Sequence, residues 1–261
     1  MPDPRDAPEV IFLGTGTSSG VPMIGCGCAV CASEDPHDNR LRSSVLLRWP
    51  DGTTIVIDTG PDFRYQMLRE QVGRLDAVLL THAHKDHIAG LDDIRAFNFL
   101  QKKAIPVYCT AETEAALRRE FAYAFAEPSY PGVPQLELHR IADAPFTAAG
   151  KAFIPIRALH ARMEVLGFRT GDFAYITDAN EIPEREITKL QNLDVLVLNA
   201  LRKEKHVSHF TLAEAIALGR QTGAKKVLFT HISHQLGRHA DVSRELPSHM
   251  ALAFDRLRLN L

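Results

Sequence analysis

Short apolar runs rich in Val, Ile, Leu and Phe recur along the chain, and turn residues bound many of them. Runs of this length and composition are typical of buried β-strands. Apolar positions at helical spacing are clearest in residues 113–126, 183–190 and 212–222. The predicted strands come in series early and alternate with helices later, which indicates sheets packed between helices. The strands are predicted at residues 10–13, 44–47, 54–57, 77–80, 106–108, 153–156, 173–176, 195–198 and 227–229.

Side chains that can bind a metal stand just beyond the ends of several predicted strands. A histidine or an aspartate follows four of them, and a threonine comes directly before it in three cases. These residues are Asp58, His82, Asp178 and His231. Loops that a rigid scaffold holds at strand ends are where α/β proteins place their chemistry. We therefore expect a reactive site at one edge of the sheets.

Composition and charge narrow the classes of protein that this sequence fits. The formal net charge of −2 argues against a nucleic-acid partner held by bulk charge. No apolar run approaches the ~18–20 residues that a membrane helix needs, and the first residues lack a signal-peptide pattern. Three of the four cysteines lie within residues 26–31, unlike a secreted disulfide framework. We predict one domain, residues 1–261, in the reducing cytoplasm.

The run His82-Ala83-His84-Lys85-Asp86-His87 concentrates metal-binding side chains in a short segment. His82 and His84 are two apart, so in an extended segment both imidazoles point the same way and can reach one ion. Asp86 and His87 follow as the chain bends toward the next helix, and they can reach a second ion. Histidines with a carboxylate suit a divalent metal such as zinc. The alternative is a polar surface loop in which histidines cluster by chance.

This His-x-His-x-Asp-His run after an apolar strand resembles the signature of the metallo-β-lactamase superfamily. The opening Phe12-Leu13-Gly14-Thr15-Gly16-Thr17-Ser18 is similar to its phosphodiesterase branch, which includes tRNase Z and phosphoribosyl cyclic phosphate phosphodiesterases. The resemblance covers the chain from about Ile11 to His234. It implies an α+β fold, a four-layer αββα sandwich with a two-metal site along one edge.

The resemblance also implies which residues bind the ions, which would be zinc, manganese or iron. Asp178 would bridge both ions, and Asp58 would orient one of the ligands from behind. For His160 and His231 the alternative is a structural or surface histidine. The implied ligands are His82, His84 and His160 for the first ion, and Asp86, His87 and His231 for the second.

Three differences between this sequence and other branches of the superfamily narrow the expected reaction. His84 stands where the flavodiiron oxidoreductase relatives tend to carry a glutamate, which favours hydrolysis. Asp178 stands where some true β-lactamases have a cysteine, which argues against antibiotic cleavage. Asp178 follows His160 after only 18 positions, an interval in which tRNase Z enzymes usually insert a long tRNA-gripping arm. Its absence argues against tRNA as the substrate.

A cysteine cluster lies in the 24–34 loop, which is rich in Gly and Pro. Three thiolates in the pattern Cys26-x-Cys28-x-x-Cys31 can hold one structural zinc, which then needs a fourth ligand. The resemblance to the cyclic phosphate phosphodiesterases implies that this ligand is His234. The alternative is that these are free cytosolic thiols.

The predicted reaction is hydrolysis of a small or cyclic phosphodiester by a hydroxide that bridges two metal ions. Asp86 would help to orient the nucleophile. His209 resembles a histidine that the phosphodiesterase branch places beside the substrate phosphate, where it would protonate the leaving group. The alternative is that Ser208 or Thr211 caps a helix and His209 merely packs nearby.

Two rival functions stay open. A thioester or lactone hydrolase would use the same two-metal site on a carbonyl, and a non-catalytic metal-binding protein would keep the fold without turnover. The sequence also leaves open the physiological substrate and the oligomeric state, a homodimer included.

The glycines at positions 14, 16 and 20 do not match a dinucleotide-binding motif and favour a tight turn. The aromatic residues of the predicted helix 113–126 belong to a substrate lid or to the core.

Overall fold

The computed structural model describes residues 7–127 and 130–261, which form two seven-stranded sheets. All nine predicted strands are confirmed. The first sheet contains, in spatial order, β14 (Arg258–Asn260), β1 (Glu9–Gly14), β2 (Ser44–Arg48), β3 (Thr54–Ile57), β4 (Ala77–Leu79), β5 (Ile105–Cys109) and β6 (Leu136–Arg140). The second contains β13 (Met250–Leu252), β12 (Lys226–Thr230), β11 (Val195–Asn199), β10 (Phe173–Tyr175), β9 (Met163–Thr170), β8 (Lys151–His160) and β7 (Phe146–Ala148).

Each sheet changes from antiparallel to parallel pairing at one strand. The first sheet is antiparallel from β14 to β3 and parallel from β3 to β6. The second is antiparallel from β7 to β10 and parallel from β10 to β13. Asp58 directly follows β3, and Asp178 lies shortly after β10. Both carboxylates therefore stand beyond a strand where the pairing changes, which is where ligands bind in open α/β sheets.

The described residues include seven short α-helices. The helix predicted at 212–222 is confirmed with the same ends. The helix predicted at 113–126 ends earlier, because the backbone leaves helical angles at Phe121 (φ −110°, ψ 38°). The segment predicted at 183–190 is an α-helix followed by the 3₁₀ turn Thr188–Leu190. The helices are α1 (Phe63–Arg69), α2 (Lys85–Ile88), α3 (Arg95–Gln101), α4 (Ala111–Glu120), α5 (Glu184–Ile187), α6 (Leu212–Thr222) and α7 (His239–Ser243).

Strand side chains alternate between two apolar layers. In β1, Val10 and Phe12 face the second sheet, whereas Ile11 and Leu13 face helices α1 and α3. The second sheet divides its side chains in the same way, and α5, α6 and α7 cover its outer face. The predicted α+β class and four-layer αββα sandwich are therefore confirmed. Among the helices of residues 7–127 and 130–261, none has the length and apolar character of a membrane span.

The aromatic residues around α4 have different environments. Phe121 is buried in the layer between the first sheet and its helices. Tyr123 is exposed, and its hydroxyl donates to Asp92 Oδ1 at 2.5 Å. Phe121 therefore belongs to the core, while the choice between lid and core stays open for the exposed Tyr123.

Candidate metal centre

Loops from both sheets bring the predicted ligands together at one edge of the sandwich. His82 and His84 follow β4 of the first sheet, and His160 ends β8 of the second. Asp178 and His231 follow β10 and β12. The side chains form two adjoining groups, which we call the outer set (His82, His84, His160) and the inner set (Asp86, His87, Asp178, His231).

The outer set consists of three imidazoles that surround one position. Their candidate ligand nitrogens lie within 4.8 Å of one another. The ring centroids of His82 and His84 are 4.6 Å apart, and those of His84 and His160 are 5.0 Å apart. His82 and His160 are buried, whereas His84 is exposed. The outer set is therefore open to solvent on the His84 side.

The inner set is more deeply buried and contains both carboxylates. His87 Nε2 lies 3.1 Å from Asp178 Oδ2 and 3.2 Å from Asp86 Oδ2. His231 Nδ1 lies 3.0 Å from Asp178 Oδ2. Neither nitrogen has a partner in hydrogen-bond geometry, and the same is true of the buried His82 Nε2. Buried nitrogens without partners are costly, and lone pairs converging with carboxylates fit a divalent ion.

Asp58 lies behind the two sets and fixes the orientation of two histidines. His87 Nδ1 donates to Asp58 Oδ2 at 2.7 Å. The same carboxylate accepts from the Thr81 backbone N–H and hydroxyl, each at 2.8 Å. Because the Thr81 hydroxyl donates its hydrogen to Asp58, it accepts from His82 Nδ1 at 3.0 Å. Both imidazoles therefore engage a neighbour through Nδ1 and direct Nε2 toward the site, the arrangement found behind metal-binding histidines.

His160 receives its orientation from the loop before α6. Its Nδ1 donates to the Ser208 carbonyl oxygen at 2.7 Å, which leaves Nε2 free to face the outer set. Thr211, not Ser208, caps α6, with a capping box to Glu214. The ring of His209 lies against two candidate ligands, with its centroid 4.6 Å from that of His160 and 4.8 Å from that of His231.

Three non-glycine residues of the centre adopt left-handed backbone angles. They are Asp58 (φ 63°), Asp178 (φ 54°) and His231 (φ 54°). Such conformations cost free energy and persist where the surrounding structure enforces them, often at functional sites. Asn199 holds the residue after Asp178 by accepting from the Ala179 N–H at 2.8 Å and donating to its carbonyl at 2.9 Å.

The cysteine cluster contacts His234, which is three residues beyond His231. Cys26 Sγ and Cys28 Sγ each lie 3.4 Å from His234 Nδ1. Together with Cys31 Sγ these atoms lie within 4.8 Å of one another, and the cysteines are not disulfide-bonded. The Met23 N–H donates to Cys31 Sγ at 3.3 Å, and the Cys31 N–H, followed by His234, lowers the pKa of Cys28 to about 6. This donor set fits one tetrahedral zinc.

Comparison with known families decides the identity of the fold. The family model of the beta-lactamase superfamily domain matches residues 53–232, more than half of the chain. This chain belongs to the metallo-β-lactamase superfamily. The resemblance drawn from the His-x-His-x-Asp-His run is therefore confirmed.

The names of individual relatives within the superfamily refer to different activities. The crystal structure of a diphosphatase from the PhnP family is 43% identical, with a TM-score of 0.91, and the match covers 97% of this chain and 96% of that one. Zn²⁺-bound PqqB from Methylobacterium extorquens is 20% identical, with a TM-score of 0.78 and coverage of 97% and 100%, and shows the fold alone. An octanoyltransferase from Porphyromonas gingivalis is 40% identical over 95% of this chain. The chain spans about half (50%) of that relative's length.

Charge in this superfamily site is divided unequally among its histidines. Burial holds the pKa of His82 well below its ordinary value and also lowers the pKa of His231. Burial opposes charge on His87 as well, but Asp178, Asp58 and Asp86 together raise its pKa well above the ordinary value. In the metal-free protein His87 is therefore the protonated member, and its charge offsets the buried carboxylates.

Loading the inner set with a divalent ion at pH 7 is expected to release about one proton per chain, because His87 must lose its proton to become a ligand. Raising the pH through the elevated pKa of His87 removes this competing proton. Affinity should therefore rise with pH, by about tenfold per unit below that pKa. Calorimetric titration of metal-free protein in two buffers with different ionisation enthalpies measures the release. A heat independent of the buffer would contradict this assignment.

Three positioning groups were missed by the sequence reasoning. They are the hydroxyls of Thr81 and Thr17 and the carbonyl of Ser208, which contact His82, His231 and His160 respectively. A signal for the first was present, since a threonine precedes the metal-competent residue at three strand ends. His206, from a charged segment, also lies close to the site, with its ring centroid 5.1 Å from that of His209.

Proposed function

We propose that this chain is a binuclear metal-dependent hydrolase that cleaves a phosphorus–oxygen bond in a small phosphodiester, cyclic phosphodiester or diphosphate. The observation that carries the proposal is the convergence of two adjoining ligand sets around the buried carboxylate of Asp178, a member of the inner set. Zinc, manganese or iron suits these ligands. The reducing cytoplasm is the proposed location, because the unpaired thiols of the cysteine cluster need it.

The chain's own residues divide the work in this proposal. The outer set would hold one ion and the inner set the other. Asp178 directs Oδ2 to the inner set and places Oδ1 3.8 Å from His209 Nδ1. Two bound ions would lower the pKa of a shared water and polarise a phosphoryl oxygen. Burial opposes charge on Asp86, but His87 beside it helps to hold the pKa of Asp86 below its ordinary value. The carboxylate is therefore ionised, and as a hydrogen-bond acceptor it would orient the nucleophile.

His209 is proposed to contact the leaving group. Burial, followed by the neighbouring His231, lowers the pKa of His209 to about 3, so the imidazole is neutral at pH 7. A neutral ring still carries one N–H that donates a hydrogen bond to a developing alkoxide. Full proton transfer needs an anionic substrate to raise this pKa, since a nearby negative charge favours the imidazolium.

The geometry around the site favours a small substrate. Between His160 and Asp178 the chain forms only a tight turn, β9, a second turn and β10. No arm projects from these described residues, and the site is open on the side of the exposed His84. The diphosphatase of the PhnP family supports a phosphorus substrate. The octanoyltransferase activity named for a relative twice as long is not carried over to this chain.

A substrate panel tests the proposal. Metal-loaded protein is offered bis(p-nitrophenyl) phosphate, a cyclic ribose phosphate, a diphosphate diester, an octanoyl thioester and a β-lactam. We expect turnover of one or more phosphorus substrates, and its loss on chelation and return on metal addition. Turnover of the thioester alone would assign the site to carbonyl chemistry. Full metal loading without turnover of any substrate would leave a non-catalytic metal-binding protein.

A further inference from the structure

His231 faces the inner set the opposite way round from the other buried histidines of the two ligand sets. His82, His87 and His160 engage a neighbour through Nδ1 and present Nε2. His231 instead presents Nδ1, while its Nε2 lies 3.2 Å from the hydroxyl oxygen of Thr17. We infer that Thr17 is a positioning residue that selects the metal-binding tautomer of His231. This inference rests on the proposed metal function.

The tautomer follows from the partners of the two ring nitrogens. A neutral imidazole carries one hydrogen, and only the unprotonated nitrogen binds a metal. Nδ1 lies 3.0 Å from Asp178 Oδ2 and has no partner in hydrogen-bond geometry. For Nδ1 to bind an ion in the inner set, the hydrogen must reside on Nε2, where the Thr17 hydroxyl oxygen can accept it. Both residues are buried, Thr17 with 8% and His231 with 1% of their surface exposed.

The segment after β1 is fixed so that Thr17 reaches this position. The Thr17 N–H donates to the Ile232 carbonyl at 3.1 Å, and the Ile232 N–H donates to the Thr15 carbonyl at 2.9 Å. Gly16, between Thr15 and Thr17, lets this segment pass close to the backbone of Arg40, because a Cβ at Gly16 would lie 2.8 Å from the Arg40 carbonyl oxygen. The hydroxyl and the imidazole are therefore held together by the backbones on either side.

Loss of the Thr17 hydroxyl should move the hydrogen of His231 from Nε2 to Nδ1. A hydrogen on Nε2 would then be buried without an acceptor, which is costly. The other tautomer carries its hydrogen on Nδ1, beside the Asp178 carboxylate, and this closes the ligand nitrogen to a metal ion. Groups that orient a metal-binding histidine typically change metal affinity by ~10–100-fold when they are removed.

The test compares Thr17→Val, which keeps the shape, with Thr17→Ser, which keeps the hydroxyl. Thr222→Val is the matched control, because Thr222 is also buried and its hydroxyl donates to the Gly219 carbonyl in α6. Metal-stripped full-length protein is titrated with Zn²⁺. We expect Thr17→Val to bind one of the two active-site ions ~10–100-fold more weakly. Thr17→Ser and Thr222→Val should bind both ions as the wild type does.

Nitrogen NMR of the metal-free proteins supplies a readout that does not depend on activity. The wild type and Thr17→Ser should carry the His231 hydrogen on Nε2, and Thr17→Val should carry it on Nδ1. An unchanged tautomer in Thr17→Val, or equal weakening in Thr17→Ser, would overturn the inference. A wild type that binds no active-site ion would refute the proposed function instead, and the tautomer comparison would still decide the role of Thr17.

Discussion

Replacing Asp178 with Ala is expected to lower kcat by ~10⁴-fold or more, because one change removes a ligand next to both ion positions. Asp178 Oδ2 lies within 3.1 Å of ligand nitrogens of His87 and His231. His231 and His87, against the effect of burial, hold the pKa of Asp178 well below its ordinary value, so the carboxylate is charged. Its loss also removes a negative charge that attracts cations into a buried site.

The measurement for Asp178→Ala combines kcat on the best phosphorus substrate with a metal count by mass spectrometry. The matched control is Asp172→Ala, between β9 and β10, where a largely exposed carboxylate lies 3.5 Å from Arg169. The control should keep wild-type turnover and metal content, since an exposed ion pair contributes little. If Asp178→Ala turned over substrate at the wild-type rate, the ligand assignment would be wrong.

The strands that the sequence did not reveal have physical reasons for being hidden. β6, β7, β13 and β14 lie at or next to sheet edges, where half-exposed residues weaken the apolar pattern. β9 is central but contains Gly167, which normally weakens a strand. A Cβ at Gly167 would lie 2.6 Å from the Ile176 side chain. The glycine is thus required by close packing within the sheet, which a single sequence does not disclose.

The helices show a related difficulty. Apolar spacing continues past the end of α4 because Phe121 is still buried in the core layer, although its backbone is no longer helical. Burial and helical geometry therefore end at different residues. Helices α1, α2 and α3 have at most seven residues each. Segments this short do not complete the two turns from which amphipathic periodicity is recognised.

The candidate metal ligands were more predictable than most of the groups that orient them. His82, Asp178 and His231, and also the orienting Asp58, could be found because parallel strands bring their carboxyl ends to one edge. The contact between His231 and the Thr17 hydroxyl could not be found, because it joins segments 214 positions apart. Hydrogen-bond partners at such separations depend on the register of both sheets, which local patterns do not determine.

Replacing Cys28 with Ser is expected to reduce the metal content from about three ions per chain to about two, because serine does not supply a thiolate ligand. The Cys31 N–H and His234 stabilise the Cys28 thiolate, so this position combines a lowered pKa with a close second ligand. Loss of the ion should release the 24–34 loop from His234. We expect Tm to fall by ~5–10 °C, which corresponds to about 2–3 kcal/mol for a domain of this size.

The effect of Cys28→Ser should extend to the active site, because His234 is three residues beyond His231 on one short segment. We expect kcat to fall by ~10-fold while both active-site ions remain bound, since the ligands stay and only their support loosens. Cys109→Ala is the control, because Cys109 is buried in the core of the first sheet, apart from the cluster. It should keep all three ions. Three ions retained in Cys28→Ser would mean that the cysteines do not hold one.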